Sequence, residues 1–204
     1  MIRSHTPAAR AALFVLMVTL TGCFGGGPKP AFYTLSAASG AAAGPASAAK
    51  PMLGLAVGPI EFPRYLDRPE IVSRDGSHTL IVADAHRWGG SLRSDILRVV
   101  ADDLGRLLGT PRVVVYPTEP RFKADYRVLL DVREFERIPG GNVVLRVRWT
   151  IASAGDGEAV AVEESRIEQP VTSSSIEDLV AAESAALGGV TRLIAERIAA
   201  LPAR

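Results

Sequence analysis

The sequence predicts a single α/β domain whose mixed β-sheet contains an antiparallel meander and is covered by two main helices. Two long segments carry apolar residues at helical spacing, and several shorter segments alternate apolar and polar residues. A strand, a helix and a strand follow one another in the first half of the chain, which requires a parallel crossover. Three consecutive strands in the second half require antiparallel pairs. A mixed sheet meets both requirements.

The first half of the domain is predicted to contain a buried strand, a hairpin, a helix and a second strand. Leu53 to Ile60 is almost wholly apolar. Asp75-Gly76 lies between apolar runs, which is typical of a hairpin turn over residues 70–83. The helix is predicted over residues 91–108, capped by Ser91 and ended by Gly109. Residues 112–116 (RVVVY) form the strand that follows.

The second half is predicted to contain the meander and the last helix. Residues 125–137, 143–151 and 159–167 alternate between an apolar and a charged face, and glycine-rich turns separate them. The last helix is predicted to begin at Ser174, with Glu177 completing a capping box. Its apolar stripe consists of Leu179, Val180, Leu187, Val190, Ile194, Ile198 and Leu201.

The N-terminus has the pattern of a bacterial lipoprotein signal. Two arginines precede the apolar run Ala11 to Leu20, which is too short to span a bilayer. The run ends in Leu20-Thr21-Gly22-Cys23, which is similar to a lipobox. We expect residues 1–22 to be removed and Cys23 to carry the lipid. An ordinary signal peptide followed by a coincidental cysteine is the alternative.

Composition after Cys23 predicts a tether followed by the domain. Residues 23–51 are rich in Gly, Ala, Ser and Pro, which favours a flexible segment, with a short strand near residues 32–35. The α/β domain is expected over residues 52–204. Phe24 stands where an inner-membrane retention signal has Asp, so we expect anchoring at the periplasmic face of the outer membrane.

The composition argues against several function classes. A net charge of +1 over 204 residues is not that of a nucleic-acid-binding protein. A single cysteine excludes an intramolecular disulfide and a multi-cysteine zinc site. His78 and His86, the histidines after Cys23, lack the spacing of a metal site, so neither metal nor cofactor is expected. No Gly-x-Ser-x-Gly occurs, and Ser91 is interpreted as a helix cap rather than a nucleophile.

One segment, Phe62 to Val72, is unusual in composition. Two prolines stiffen it, and Arg64, Tyr65, Asp67 and Arg68 lie between them. Tyrosine and arginine are enriched at binding hot spots, which predicts contact with a partner. In the structural alternative, Asp67 and Arg68 hold the loop while Tyr65 packs beneath it. Both roles are compatible with the sequence.

Several motifs together resemble the PqiC family of ABC-type transport auxiliary lipoproteins. The resemblance covers essentially the chain after Cys23, and the block Tyr-Leu-Asp-Arg-Pro-x-Ile-Val is its most specific part. The motifs are the lipobox, Phe32-Tyr33-Thr34-Leu35, Val57-Gly58-Pro59-Ile60, residues 63–72 (PRYLDRPEIV), Arg87-Trp88 and Val113-Val114-Val115-Tyr116-Pro117.

The resemblance implies a role in lipid transport across the cell envelope. Members are outer-membrane lipoproteins that work with MCE-domain tunnel or ring proteins, and they have a mixed α/β fold. The hypothesis is a non-enzymatic subunit that docks the tunnel at the outer membrane. Its expected partner contacts are Arg64, Tyr65, Asp67, Arg68 and Trp88. Phospholipid contact and a ring of copies would be compatible with this role. The alternatives are a carrier with its own lipid pocket and, less favoured, a periplasmic hydrolase.

Overall fold

The structure is a computed structural model that describes residues 29–37, 50–117 and 121–201. Cys23 and the predicted signal peptide lie outside the described residues. The predicted single mixed α/β domain is confirmed. Its elements are β1 (Ala31–Tyr33), β2 (Leu55–Glu61), β3 (Glu70–Asp75), β4 (Thr79–Trp88), α1 (Leu92–Leu108), β5 (Val113–Val115), β6 (Tyr126–Arg137), β7 (Asn142–Ser153), β8 (Ala159–Pro170) and α2 (Ile176–Ala199).

Eight strands form one mixed sheet. Five neighbouring pairs give the order β1-β4-β3-β6-β2-β5, and β7 lies between β6 and β8. The β3–β4 hairpin and the β6–β7–β8 meander are antiparallel, as predicted. Strands β2 and β5 are parallel, which is the arrangement that the crossover through α1 requires.

Strand β6 is the centre of the sheet. It pairs in parallel with β2, from Leu55 beside Tyr126 to Glu61 beside Asp131. It also meets β3 near its C-terminal end. The pairing of β6 with β7 shifts between Val132 and Glu134, which is where a bulge interrupts the period of two. This bulge brings Phe135 into the core, where its side chain is 1% exposed.

The two helices cover the sheet and pack against each other. Helix α1 contacts β2 and β5, whereas α2 contacts β6, β7 and β8. Their predicted apolar stripes are buried, apart from the partly exposed Leu107 and Leu201. Burial of each large apolar side chain stabilises the fold by about 1.5–3 kcal/mol, and this favours one common core. The largest fully buried side chains include Trp149, Tyr126, Phe135, Leu55, Ile96, Leu104 and Leu179.

Two of the three predicted helix caps agree with the structure. Ser91 caps α1, and Gly109 ends it in the left-handed conformation (φ 62°), which glycine adopts without strain. The predicted cap of α2 at Ser174 is wrong by one residue. Ser175 caps that helix and accepts a hydrogen bond from the Asp178 N–H at 3.0 Å. Three consecutive serines followed by two acids offer the same spacing in either register, so the sequence does not distinguish them.

The short strand β1 lies at one edge of the sheet. It runs parallel to β4, with Tyr33 beside Trp88. The Tyr33 hydroxyl is 2.8 Å from Nδ1 of His86, and the Leu35 N–H donates to Asp95 of α1 at 2.6 Å. Strand β1 is therefore attached to both the sheet and the first helix.

Candidate docking site

The segment singled out in the sequence forms the β2–β3 loop, residues 62–69. Arg64, Asp67 and Arg68 are exposed at its surface. Tyr65 is half-buried, and Leu66 is buried in the core at 3% exposure. The loop therefore presents three charged side chains to solvent while two apolar groups attach it to the domain.

A buried carboxylate holds the loop from below. Glu136 of β6 is buried, and its carboxylate accepts hydrogen bonds from the Tyr65 hydroxyl at 3.0 and 3.1 Å. Arg74 of β3 donates to the same carboxylate through Nε at 3.0 Å and Nη2 at 2.8 Å. The N–H of Phe135 donates to Glu136 Oε2 at 2.9 Å. We call Tyr65, Arg74 and Glu136 the loop brace.

The loop brace changes the protonation behaviour of its members. Burial, followed by the charge of Glu136, raises the pKa of Tyr65 to about 12. The hydrogen bond to Glu136 is the main cause that raises the pKa of Arg74. Tyr65 therefore stays a neutral donor and Arg74 a cation throughout the physiological range, which keeps the buried carboxylate satisfied.

Asp67 connects the loop to helix α1. Its carboxylate lies 3.2 Å from Nη2 of Arg93, whose guanidinium also donates to the carbonyl of Ile60. The same guanidinium stacks over Phe62, 4.7 Å from the ring centroid. The ion-pair partner of Asp67 therefore comes from α1 and not from the loop itself.

Arg68 belongs to a second cluster of charges at the end of the loop. Its Nε lies 2.9 Å from Oε2 of Glu70, and Nη2 of Arg87 lies 3.6 Å from the other oxygen. The hydrogen bond from Arg68 is the main cause that lowers the pKa of Glu70. Glu70 belongs to β3 and therefore holds the guanidinium of Arg68 in one orientation. Arg68 is exposed, so this guanidinium remains accessible to solvent.

Trp88 does not share the exposed surface with the loop residues. Its side chain is 6% exposed and forms part of the core. Its backbone N–H donates to the carbonyl of Pro69 at 2.7 Å. The structure therefore gives Trp88 a role beneath the loop, with little side-chain area available to a partner.

Arg64 is the exposed loop arginine without an ion pair inside the described part of the chain. Beside the loop, a surface groove of about 390 Å³ runs onto the charged face of the meander. The unpaired guanidinium and the adjoining groove form a surface suited to a carboxylate-bearing partner. The groove is lined by Glu61, Phe62, Pro63, Asp131, Val132, Arg133 and Arg146.

Three residues that hold the loop were missed in the sequence. Arg74, Arg93 and Glu136 come from β3, α1 and β6, far apart along the chain. One signal was present, since Phe135 breaks the alternation of β6 and indicates a bulge beside Glu136. The pairing itself depends on contacts between distant elements.

The remaining candidates for chemistry have structural partners or lie in solvent. His78 is exposed in the hairpin turn, and His86 pairs with Tyr33. Ser91 Oγ accepts from the Ser94 N–H at 3.5 Å, as a helix cap does. Among residues 29–37, 50–117 and 121–201, no three His, Cys, Asp or Glu side chains lie close enough to hold a metal ion. None of the helices in these ranges has the length and apolarity needed to cross a membrane.

Two solved structures of low sequence identity share this fold. One, from Xanthomonas campestris and assigned to the DUF330 family, has a TM-score of 0.70 at 19% identity, covering 82% of this chain and 94% of that one. The other, described as an uncharacterized protein, has a TM-score of 0.68 at 17% identity, covering 83% and 99%. No curated protein matches the chain significantly.

The family model for the ABC-type transport auxiliary lipoprotein component matches residues 33–195. The match includes the β2–β3 loop, the loop brace, α1 and α2 as far as residue 195. It begins at β1 and ends inside α2, so it spans the sheet and helices described above. The chain therefore belongs to the ABC-type transport auxiliary lipoprotein family, to which the PqiC proteins also belong.

Proposed function

We propose that this protein is a non-enzymatic lipoprotein subunit that docks the periplasmic tunnel of an MCE-type lipid transport system at the outer membrane. The transport auxiliary role of the family supports the general assignment. The lipobox at Leu20 to Cys23, and Phe24 after it, support anchoring at the outer membrane.

The single observation that carries the docking role is the construction of the β2–β3 loop. Arg64 and Arg68 are exposed, whereas Tyr65 is bound to Glu136 and Leu66 is buried in the core. A loop held in this way loses little conformational entropy when a partner binds. Planar guanidinium groups on a rigid support are suited to carboxylates of a partner surface.

The surface grooves offer less support for a carrier with its own lipid pocket. Four of them, among the described residues, have volumes of about 200 to 470 Å³ and open to solvent. A lipid carrier buries most of its ligand's surface, as binding cavities generally do. A docking surface needs no such enclosure.

A photo-activated cross-linker at position 64 tests the docking role in cells. We expect the Arg64 variant to cross-link to an MCE-domain protein, identified by mass spectrometry. The matched control replaces Arg192, an exposed arginine on α2, and is expected to give no such product. Equal cross-linking at both positions, or a product without an MCE domain, would contradict the proposal.

Affinity provides a second measurement with the partner identified in this way. Hot-spot truncations cost about 2 kcal/mol, so Arg64→Ala is expected to weaken capture by about tenfold or more. Arg192→Ala should bind normally. Both variants should melt within a few degrees of the wild type, because each side chain is exposed. Normal capture by Arg64→Ala would refute the contact.

A further inference from the structure

The side chain of Phe32 is the most exposed aromatic group on the edge strand β1. It is 64% exposed, although the residues on either side of it are attached to the domain. The hydroxyl of Tyr33 lies 2.8 Å from His86 Nδ1, and Leu35 is buried at 1% exposure. The backbone of β1 therefore holds Phe32 at the surface.

Phe32 borders a groove between β1 and the first half of α2. The groove has a volume of about 470 Å³ and is apolar along Phe32, Val180 and Ala181. The rest of its wall consists of Tyr33, Thr34, Ser36, Glu177 and Ser184. An exposed phenylalanine is typical of the apolar side chains that enter the boundary between lipid headgroups and acyl chains.

The position of Phe32 in the chain limits its distance from the predicted anchor. Phe32 is nine positions after Cys23, and three of the eight residues between them, Gly25 to Gly27, are glycine. Fully extended, this length spans about 30 Å, and a flexible chain of this kind has an average span of about 15–18 Å. A short tether of this length gives an effective concentration in the millimolar range.

We propose that Phe32 contacts the headgroup region of the bilayer that holds the anchor. This inference rests on the proposed acylation of Cys23. The tether keeps the β1 edge near the lipid surface. Because the effective concentration is high, even a weak contact by one aromatic side chain forms for most of the time. The acidic Glu177 at the groove wall confines the contact to the Phe32 end.

The contact would orient the domain. Strand β8 forms another edge of the sheet, and β4, β3, β6 and β7 separate it from β1. At about 4.8 Å per strand, this path measures about 24 Å. Along the sheet, the β8 edge therefore lies five strand steps from β1. Val162 on β8 is 55% exposed and provides a matched reference position.

Tryptophan fluorescence on vesicles tests this contact. The full acylated protein carrying Phe32→Trp is reconstituted in vesicles of phosphatidylethanolamine and phosphatidylglycerol, with and without brominated acyl chains. Trp88 and Trp149 are buried, so the wild type supplies the background. We expect bromine to quench the added tryptophan at position 32 at least twofold more strongly than that of Val162→Trp.

The outcomes separate this inference from the proposed anchor. If the acylated protein fails to float with vesicles, the anchor proposal is wrong. If it floats and position 32 is quenched no more than position 162, the lipid contact is refuted and the anchor stands. Blue-shifted emission at position 32 without bromine quenching would also refute it, because a protein surface would then cover the ring.

Discussion

The hydroxyl of Tyr65 donates a hydrogen bond to the buried carboxylate of Glu136, 3.0 Å from Oε2. This contact joins the exposed β2–β3 loop to the central strand of the sheet. Arg74 completes the arrangement from β3. A loop that bears exposed arginines is thereby fixed to the part of the domain with the most strand partners.

Tyr65→Phe removes the hydroxyl and keeps the ring. The buried carboxylate then loses one donor, and we expect unfolding free energy to fall by about 1–2 kcal/mol. Chemical denaturation measures this value. Tyr116→Phe is the control, because the Tyr116 hydroxyl makes no hydrogen bond within the described residues. An unchanged midpoint for Tyr65→Phe would contradict the brace.

The same hydroxyl predicts a change of stability at alkaline pH. The pKa of Tyr65 is raised from 10 to about 12, mainly by burial, so the folded state retains the proton longer than the unfolded state. The stabilising contribution is complete below pH 10 and is lost as the pH rises through 12. The stability difference between wild type and Tyr65→Phe should therefore shrink above pH 10 in denaturation experiments.

Glu183 on α2 predicts a second pH dependence. The side chain is 1% exposed, its Oε2 has no hydrogen-bond partner among the described residues, and burial raises its pKa well above 4.5. The neighbouring Glu136 raises the pKa further, whereas Arg137 lowers it. The folded state keeps a proton that the unfolded state releases, so this contribution to stability falls as pH rises above 4.5.

Glu183→Gln should remove that dependence. We expect the variant to gain stability over the wild type as pH rises from 5 to 8, by at most about 1.4 kcal/mol per pH unit. Urea denaturation at several pH values measures the difference. Glu177→Gln, exposed on the same helix, should show no such trend. Parallel curves for wild type and Glu183→Gln would mean that Glu183 ionises normally.

Leu104→Asp should prevent folding of the domain. Leu104 is fully buried between α1 and the sheet, and an uncompensated buried charge costs several kcal/mol, comparable with the stability of a domain. Val99 and Ile194 are equally buried and should respond in the same way. Circular dichroism and the yield of soluble protein measure the loss. A folded Leu104→Asp protein of normal stability would show that the helix face is not core.

Gly54→Ala should destabilise the start of β2. A Cβ atom at this position would lie 2.6 Å from the backbone oxygen of Lys123, so one of the two segments has to move. Gly90→Ala is the control, since no atom lies within 4 Å of its added Cβ. We expect a clear drop in melting temperature for the first variant and almost none for the second. Equal melting temperatures for the two variants would show that the backbone of Lys123 leaves room for a Cβ atom at position 54.

Cys23→Ser should release the protein from the membrane without unfolding it. The described elements begin at Ala31, after the cysteine, so the core does not depend on this residue. Cell fractionation and thermal melting of the purified variant measure location and stability. A variant that remains in the membrane fraction would count against acylation at Cys23, and an unfolded variant would count against an independent domain.

The local signals in the sequence predicted most of the fold. Alternation and helical spacing identified both helices and the meander, because each is a repeated pattern within one segment. Ser91 and Gly109 marked the ends of α1 because their chemistry suits those positions. The parallel pairing of β1 with β4 and of β2 with β6 was not predicted. The strands in each of these pairs lie far apart in the sequence, so no local sequence pattern indicates that they pair.

The candidate site divides in the same way. The composition of residues 62–72 was sufficient to single out the β2–β3 loop, and Arg64 and Arg68 are exposed on it. The tertiary structure decided that Tyr65 belongs to the loop brace and that Trp88 is buried. Neither result follows from residue type, because tyrosine and tryptophan occur both at binding surfaces and in the cores of proteins.

By itself the sequence determined the elements and most of their boundaries to within a residue or two. Two strands are longer than predicted, since β4 continues past residue 83 to Trp88 and β8 continues past residue 167 to Pro170. Those properties depend on near neighbours along the chain, through backbone geometry and the period of apolar residues. Only the tertiary structure decided that Glu136 would lie beneath Tyr65 and that Asp67 would meet Arg93. These contacts join strands and helices far apart in sequence, so they exist only once the bulged sheet and the packed helices bring them together.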